Sequence, residues 1–224
     1  EQHGPKLLPQ LSKRPAVKVA EEPAFAAAMD SEHPHGVAAL VQFTPARLEQ
    51  AFGPEPALVL VAAGLQDPGN LGTLLRAADA FGATGLVALT DTVSPFKPKA
   101  VRASAGSLFR LPVAAPVAAA ELIAAARKQG LRLLATAARG GNWDEGAGLL
   151  AQPCCLLIGQ EGSGLPRELL RAADATLAIP VTRAVESLNA AMAGAILLFE
   201  ASRQRQKKGH QPKPVPAKDP SMQG

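Results

Sequence analysis

Three short stretches of the chain hold polar residues where a ligand site would need them. Residues 67–79 read DPGNLGTLLRAAD. Asn70 has the chemistry of a helix N-cap, because its side-chain oxygen can accept one of the orphan N–H groups of a first turn. Arg76 lies off the apolar stripe of that helix, and Asp79 is three residues further on the same face. The pair reads either as a surface Arg–Asp contact or as a guanidinium aimed at a phosphate or a reacting hydroxyl. Residues 156–166 read LLIGQEGSGLP. Gly159, Gly162 and Gly164 let the backbone turn tightly and approach a ligand, with the carboxylate of Glu161 between them. No Lys-Ser/Thr follows, so this is not a phosphate-binding P-loop. Residues 179–205 read IPVTRAVESLNAAMAGAILLFEASRQR. Ser187 and Asn189 stand at the start of a long helix, where N–H groups are unpaired. That helix is small inside, with Ala190, Ala191, Ala193, Gly194 and Ala195. A glycine there costs about 1 kcal/mol relative to alanine, which close approach of another backbone would offset.

These stretches need a scaffold, and the hydrophobic pattern supplies one. Residues 57–63, 85–90, 111–113, 131–136, 154–158 and 175–179 are apolar runs of strand length. Helical patterns at 70–81, 98–104, 117–129 and 167–172 alternate with them, before the long final helix. A further strand is expected at 37–42 and a short helical piece at 23–29. Continuous apolar strands alternating with helices predict an α/β fold whose parallel sheet is covered on both faces. In such sheets ligands sit outside the carboxyl ends of the strands, where the first two polar stretches fall. Residues 1–36 read as a linker or the remnant of an N-terminal domain, 37–205 as the main domain, and 206–224 as a disordered basic, Pro-rich tail.

Composition narrows the function. The chain has 224 residues, 47% of them hydrophobic, enough for one substantial core. No apolar run reaches the ~18 residues of a membrane span, and the first ten residues do not read as a secretory leader. Cys154 and Cys155 fall inside an apolar run, as buried reduced thiols of a cytoplasmic protein would. All four histidines, His3, His33, His35 and His210, lie outside the central chain, so neither a histidine triad nor a histidine metal site is expected. The net charge is +4, but residues 37–202 are balanced and the excess is in the tail. One internal segment, 97–110, carries Lys97, Lys99, Arg102 and Arg110 with no acid. It reads as a phosphate-contacting stripe or a solvated helix face. Gly64, Gly69 and Gly72 between a strand and a helix hint at a dinucleotide unit, but the glycine spacing departs from G-x-G-x-x-G and Pro68 stiffens the turn.

Taken together, the three stretches resemble the motifs of the SpoU (TrmH-like) family of RNA 2′-O-ribose methyltransferases, in the SPOUT class. The first is similar through Asn70, Gly72, Arg76, Ala77, Phe81 and Gly82. The second is similar through Gly159, Glu161, Gly164 and Leu165, and the third through Ile179, Pro180, Ser187, Leu188, Asn189 and Glu200. The segments 99–106 and 110–113 also match between motifs, so the resemblance covers roughly residues 37–205.

The resemblance implies a parallel-sheet domain whose C-terminal segment forms a deep trefoil knot, working as a homodimer on transfer or ribosomal RNA. It implies S-adenosylmethionine as cofactor, held near Thr136, Gly159, Ile179 and Leu188. It also implies that Arg76 activates the ribose hydroxyl, supported by Asn70, Glu161, Ser187 and Asn189. A guanidinium is essentially never deprotonated, so Arg76 reads better as a positioner that stabilises a developing alkoxide. The proton acceptor stays open between Arg76, Glu161 and a substrate phosphate. Two departures stand out. Only residues 24–41 resemble the junction to the N-terminal RNA-binding domain that family members often carry, and Ala190-Ala191 stands where they often read Val-Ser. With aromatic content at 4%, base stacking cannot dominate RNA recognition, and the 97–110 stripe and the tail are the expected backbone contacts. The competing readings are a non-catalytic RNA-binding relative of the same fold and an NAD-linked enzyme.

Overall fold

The structure is a computed structural model that describes residues 18, 20–28, 36, 38–53, 56–138, 141, 143, 148–182 and 187–209. The chain divides into two compact units, Glu1–Thr44 and Pro45–Gly224. In the first, the expected helical piece is present as α1 (Glu22–Ala28). The strand expected at 37–42 is not formed over its described residues, 38–42, which are irregular and exposed. An apolar run makes a strand only where another strand offers its ladder, and no described residue pairs with this run. The loop expected at 139–148 and the tail beyond 209 lie largely or wholly outside the described residues.

The second unit begins with α2 (Leu48–Phe52). It continues β1 (Leu58–Ala62), α3 (Pro68–Ala80), β2 (Gly85–Leu89), α4 (Pro98–Ala103) and β3 (Val113–Val117). Then come α5 (Ala119–Lys128), β4 (Arg132–Thr136), β5 (Cys154–Ile158), α6 (Arg167–Ala172), β6 (Ala175–Leu177) and α7 (Ala190–Lys207). The six strands form one sheet in the order β3-β2-β1-β5-β4-β6, parallel throughout.

Each central strand feeds both faces, because successive side chains point to opposite sides. Leu58, Leu60 and Ala62 of β1 join Cys154, Leu156 and Ile158 of β5 in one core, under α3 and α7. Val59, Val61, Cys155 and Leu157 join the other, under α2, α5 and α6. This is why the strands read as continuous apolar runs rather than alternating ones. Neither cysteine is in a disulfide and both are buried, and burial raises the Cys155 thiol well above its ordinary range.

Strand β3 lies later than expected, at Val113–Val117 rather than 111–113, and α5 starts correspondingly at Ala119. Pro116 conceals it in the sequence. A proline, lacking an N–H, is tolerated in an edge strand, and β3 is an edge.

The glycine in the last helix marks close packing, but its near neighbours are side chains rather than the expected backbone. A Cβ built on Gly194 of α7 would lie 2.3 Å from Leu74 Cδ2 of α3. One built on Gly72 of α3 would lie 2.4 Å from the Ala100 carbonyl oxygen of α4. Helix α3 is therefore clamped between α7, which meets its Leu74 side chain, and α4, whose backbone it approaches at Gly72. Past α3, Phe81 and Phe199 meet edge to face with centroids 5.7 Å apart. At the far end of α7, Arg205 is buried without a carboxylate partner among the described residues. It donates to the carbonyls of Leu150 (2.9 Å), Ala57 (2.9 Å), Gln152 (2.7 Å) and Pro56. Helix α7 thus runs two residues past 205, the expected limit of the main domain.

Among the described residues no helix is long and apolar enough to cross a membrane. No group of three or more His, Cys, Asp or Glu among them is arranged to hold a metal ion.

Candidate active site

The strand order reverses beside β1: the chain builds outward through β2 and β3, crosses to β4 on the other side, and then inserts β5 between β1 and β4. Ligands in open α/β sheets bind at such a switch point, beyond the carboxyl ends of the strands. The loops that follow β1 and β5 meet there, and the start of α7 joins them.

Helix α3 begins two residues earlier than the sequence suggested. Its N-cap is Asp67, not Asn70. The Asp67 carboxylate accepts the Asn70 N–H at 3.1 Å, and Pro68 occupies the first helical position. Proline there sacrifices an N–H that has no helical partner anyway. The Asp-Pro pair was the signal for this start. As the third residue of the helix, Asn70 is left with its side chain directed at the other loops.

A chain of hydrogen bonds joins all three polar stretches. The Asn189 side-chain oxygen caps α7, accepting from the N–H groups of Ala191 (2.9 Å) and Met192 (3.2 Å). Its amide nitrogen then donates to Asn70 Oδ1 at 3.2 Å. Asn70 in turn donates from Nδ2 to Glu161 Oε1 at 2.8 Å. The same carboxylate oxygen receives the Ala190 N–H at 3.4 Å. The backbone fixes the orientation of both amides, because the Asn189 oxygen must face N–H donors, and each later donor and acceptor follows. Glu161 is also placed at the positive end of the α7 dipole. Its Oε2 accepts from no described residue. Residues 70, 161 and 189 are far apart in the chain and meet because β1, β5 and α7 carry them to one place.

The loop that presents Glu161 is a compact turn. Gln160 and Gly164 exchange backbone hydrogen bonds at 3.2 and 2.9 Å. Gly164 has φ +69°, and a Cβ on Gly159 would lie 2.5 Å from the Gly164 carbonyl carbon. Two glycines are therefore required by geometry. Gly162 has open space at its Cβ position and carries no such constraint.

Arg76 is exposed and makes no hydrogen bond to a described residue. At 3.6 residues per turn it stands about 9 Å along α3 from Asn70 and about 120° around it. It is not part of the Asn70–Glu161–Asn189 cluster of its own chain. Its expected neighbour Asp79 instead accepts Arg110 at 2.9 Å from Nε. Ser187 is exposed, two residues ahead of the cap, and bonds to no described residue.

The residues expected to hold a cofactor stand next to the cluster. Gly159, Thr136 and Ile179 follow the carboxyl ends of the neighbouring strands β5, β4 and β6, and each is half-buried, as is Leu188. The Thr136 hydroxyl is taken up by the Leu157 carbonyl at 2.8 Å. These four residues themselves offer backbone groups and apolar surface, with no ionised side chain among them. That fits a flat, neutral ring system held by main-chain hydrogen bonds.

The basic segment looks different once folded. Lys99 bonds Asp67 at 2.7 Å, and Arg110 pairs with Asp79. The acids come from α3, more than thirty residues away, so a stripe without acids in sequence acquires two in space. Lys97 and Arg102 are exposed.

The model of the SpoU rRNA Methylase family matches residues 57–199. The chain is 40% identical over 154 residues to an uncharacterized tRNA/rRNA methyltransferase of Synechocystis sp., covering 68% of this chain and 55% of that one. It is 35% identical over 179 residues to the 23S rRNA (uridine(2479)-2′-O)-methyltransferase of Streptomyces viridochromogenes, covering 78% of this chain and 62% of that one. The chain thus spans less than two thirds of the length of these relatives. Among solved structures, the AdoMet-bound rRNA methyltransferase of Sinorhizobium meliloti superposes with a TM-score of 0.75 at 30% identity, over 90% of this chain and 77% of that one. The parallel six-stranded sheet, with β5 inserted between β1 and β4 and α7 returned over α3, is the architecture of these enzymes and is consistent with their knotted fold. The matched span contains Asn70, Glu161 and Asn189 together with the switch point that unites them, and the chain belongs to the SpoU rRNA methylase family.

Proposed function

We propose that the protein transfers a methyl group from S-adenosylmethionine to a ribose 2′-hydroxyl of ribosomal or transfer RNA. The observation that carries this reading is the convergence of Asn70, Glu161 and Asn189 beside the neutral rim at the ends of β4, β5 and β6. The printed names of the relatives, including an AdoMet-bound structure, supply the cofactor and the class of substrate. S-adenosylmethionine, when bound, supplies a methyl carbon on a positively charged sulfur, open to in-line attack. Thr136, Gly159, Ile179 and Leu188 would hold it.

The protein's own task is then mostly positioning. Asn70 and Asn189 fix the Glu161 carboxylate, whose Oε2 is an acceptor for the hydroxyl proton. Ser187, at the open edge of the α7 start, is placed to contact the ribose. Arg76 stabilises the developing alkoxide and a neighbouring phosphate. Its distance from the cluster of its own chain supports a homodimer in which Arg76 serves the partner's site. Helix α7 supports this too. Met192, Ile196 and Phe199 recur at i, i+4 and i+7 and are 57%, 37% and 55% exposed. All four cations of the 97–110 segment, Lys97, Lys99, Arg102 and Arg110, are exposed toward RNA phosphates, with Lys99 and Arg110 also paired with acids. Residues 1–36 would link to or remain from an N-terminal RNA-binding domain, and 206–224 would add basic contacts. Working on RNA with neither cysteine in a disulfide, the protein would be cytoplasmic and independent of metal.

Methyl incorporation from labelled S-adenosylmethionine into unmodified total RNA, followed by nucleoside analysis, tests the reading. The expected product is a 2′-O-methylribonucleoside. Label on a base would overturn it. So would an Arg76→Ala protein that binds the cofactor and methylates at the normal rate.

A further inference from the structure

Lys99 belongs to a segment whose charges suggest RNA contact, yet its exposed side chain lies along the surface with its ammonium on the cap of α3. Its Nζ lies 2.7 Å from Asp67 Oδ1. The other oxygen of the same carboxylate holds the Asn70 N–H at 3.1 Å. Asn70 then reaches Glu161 and Asn189 at 2.8 and 3.2 Å. One unbroken line of contacts thus runs from the surface of α4 through the cap of α3 to the site carboxylate.

We propose that Lys99 and Asp67 form a positioning pair for Asn70: Lys99 fixes the rotamer of the capping carboxylate, which fixes the first turn of α3 and hence the amide that orients Glu161. The geometry gives the pair this role for two reasons. Asp67 cannot cap Asn70 and face away from α4 at once, because its two oxygens are committed to different partners. Helix α4 is also pressed onto α3 at Gly72, where a Cβ would lie 2.6 Å from Ala103 Cβ. Lys99 is therefore delivered to Asp67 by a rigid contact rather than by a loose loop. The Lys99 bond is the main influence holding the Asp67 carboxyl below its ordinary range. The proposal deepens the methyltransferase reading and rests on it for its kinetic test.

That test uses the full chain, total RNA from cells lacking the protein, and labelled S-adenosylmethionine. A second measurement needs no substrate: the side-chain amide resonances of Asn70 and Asn189 in the free protein. Lys99 is exposed, so Lys99→Met should fold. It is expected to lower kcat about tenfold while leaving the half-saturating RNA concentration within about twofold. It should also shift both amide resonances, and Lys99→Arg should restore rate and resonances together. Asp67→Asn keeps a capping oxygen but loses the ion pair. It should match Lys99→Met, and the double variant should be no worse than either single one. A Lys99→Met protein with unchanged kcat, undisturbed amide resonances and a raised half-saturating RNA concentration would overturn the proposal, making Lys99 a phosphate contact. A variant unchanged in every readout would overturn it equally. If the unmodified protein transfers no methyl group, the proposed function fails, while the resonances still decide whether Lys99 positions Asn70.

Discussion

At the scale of single residues, Asn70 is the hinge of the site. It is the only described side chain that bonds both Glu161 and Asn189. Asn70→Ala removes both contacts and leaves Glu161 held by the Ala190 N–H alone. A fall in kcat of about tenfold to a hundredfold is expected, about 1.4–2.7 kcal/mol in barrier, with cofactor affinity measured by calorimetry retained. Asn70→Asp keeps the shape but replaces a donor with a second carboxylate beside Glu161. One member of that pair would then hold its proton more tightly, so the lower limb of the pH–rate profile should move to higher pH. Three other carboxyls set the acid limit of the fold. Lys99 holds Asp67 low, and Arg203 holds Glu200 low. Burial opposes ionisation of Asp174, but the Leu133 N–H and Arg127 outweigh it. All three are depressed, so their contribution is complete above the ordinary carboxyl range. It is lost as pH falls through the lowered folded values. Urea midpoints should be flat from pH 7 to about 5 and decline below about pH 4. Asp174→Asn should show a shallower decline.

At the scale of elements, the sequence was most legible where pattern and local chemistry agree. The strands near 58–62, 85–89 and 154–158 announce themselves as apolar runs, and the glycine cluster around Glu161 marks a turn. The misplacements have specific causes. Asn70 looked like a cap because it is a good one, but the Asp-Pro pair three residues earlier is better. Pro116 broke the reading of β3 because a single sequence does not reveal that the strand is an edge. Arg110 could not be assigned to Asp79, 31 residues away, before α4 was known to lie on α3. That packing gives a sharp test. Gly72→Ala improves helix propensity by about 1 kcal/mol, and by that criterion alone it should stabilise. The added Cβ would fall 2.4 Å from the Ala100 carbonyl oxygen and 3.1 Å from the Ser104 nitrogen, both backbone atoms with little room to yield. Overpacking of this kind costs about 1–3 kcal/mol. A lowered melting temperature is expected, together with a weakened Lys99–Asp67 contact as α4 is pushed away. A raised one would mean the two helices separate easily.

At the scale of the whole molecule, the chain is closed at both ends of α7. Its first turn is held by Asn189 and by Glu161 at the carboxyl end of the sheet. Its last turn is held by Arg205, whose guanidinium reaches Pro56 and Ala57 at the entry to β1, Gln152 before β5, and Leu150. Arg205 also lies 3.9 Å from Cys154 Sγ. Between these ends α7 is held by packing of Gly194, Leu197, Leu198 and Ala201 against the core. With Arg205 in place, the spacing between the active-site end and the opposite edge of the sheet is set by one rigid rod. Sequence alone gave no sign of this, since Arg205 read only as the last residue of the main domain, next to a basic tail. Burial lowers the tendency of its guanidinium to stay charged, yet carbonyl oxygens surround it and replace the lost water. Arg205→Met should therefore take a donor from four carbonyls, of which Ala57 keeps the Cys154 N–H. At about 1–3 kcal/mol for each unsatisfied group, and with desolvation of the cation regained, a net loss of about 2–4 kcal/mol is expected in urea unfolding. Arg205→Lys offers three donors at a single point and should recover only part of it. Because the staple is remote from Glu161, kcat at low temperature should survive Arg205→Met while the unfolding midpoint falls. An equal midpoint would mean that the end of α7 is held by packing around Leu197, Leu198 and Ala201 rather than by the guanidinium.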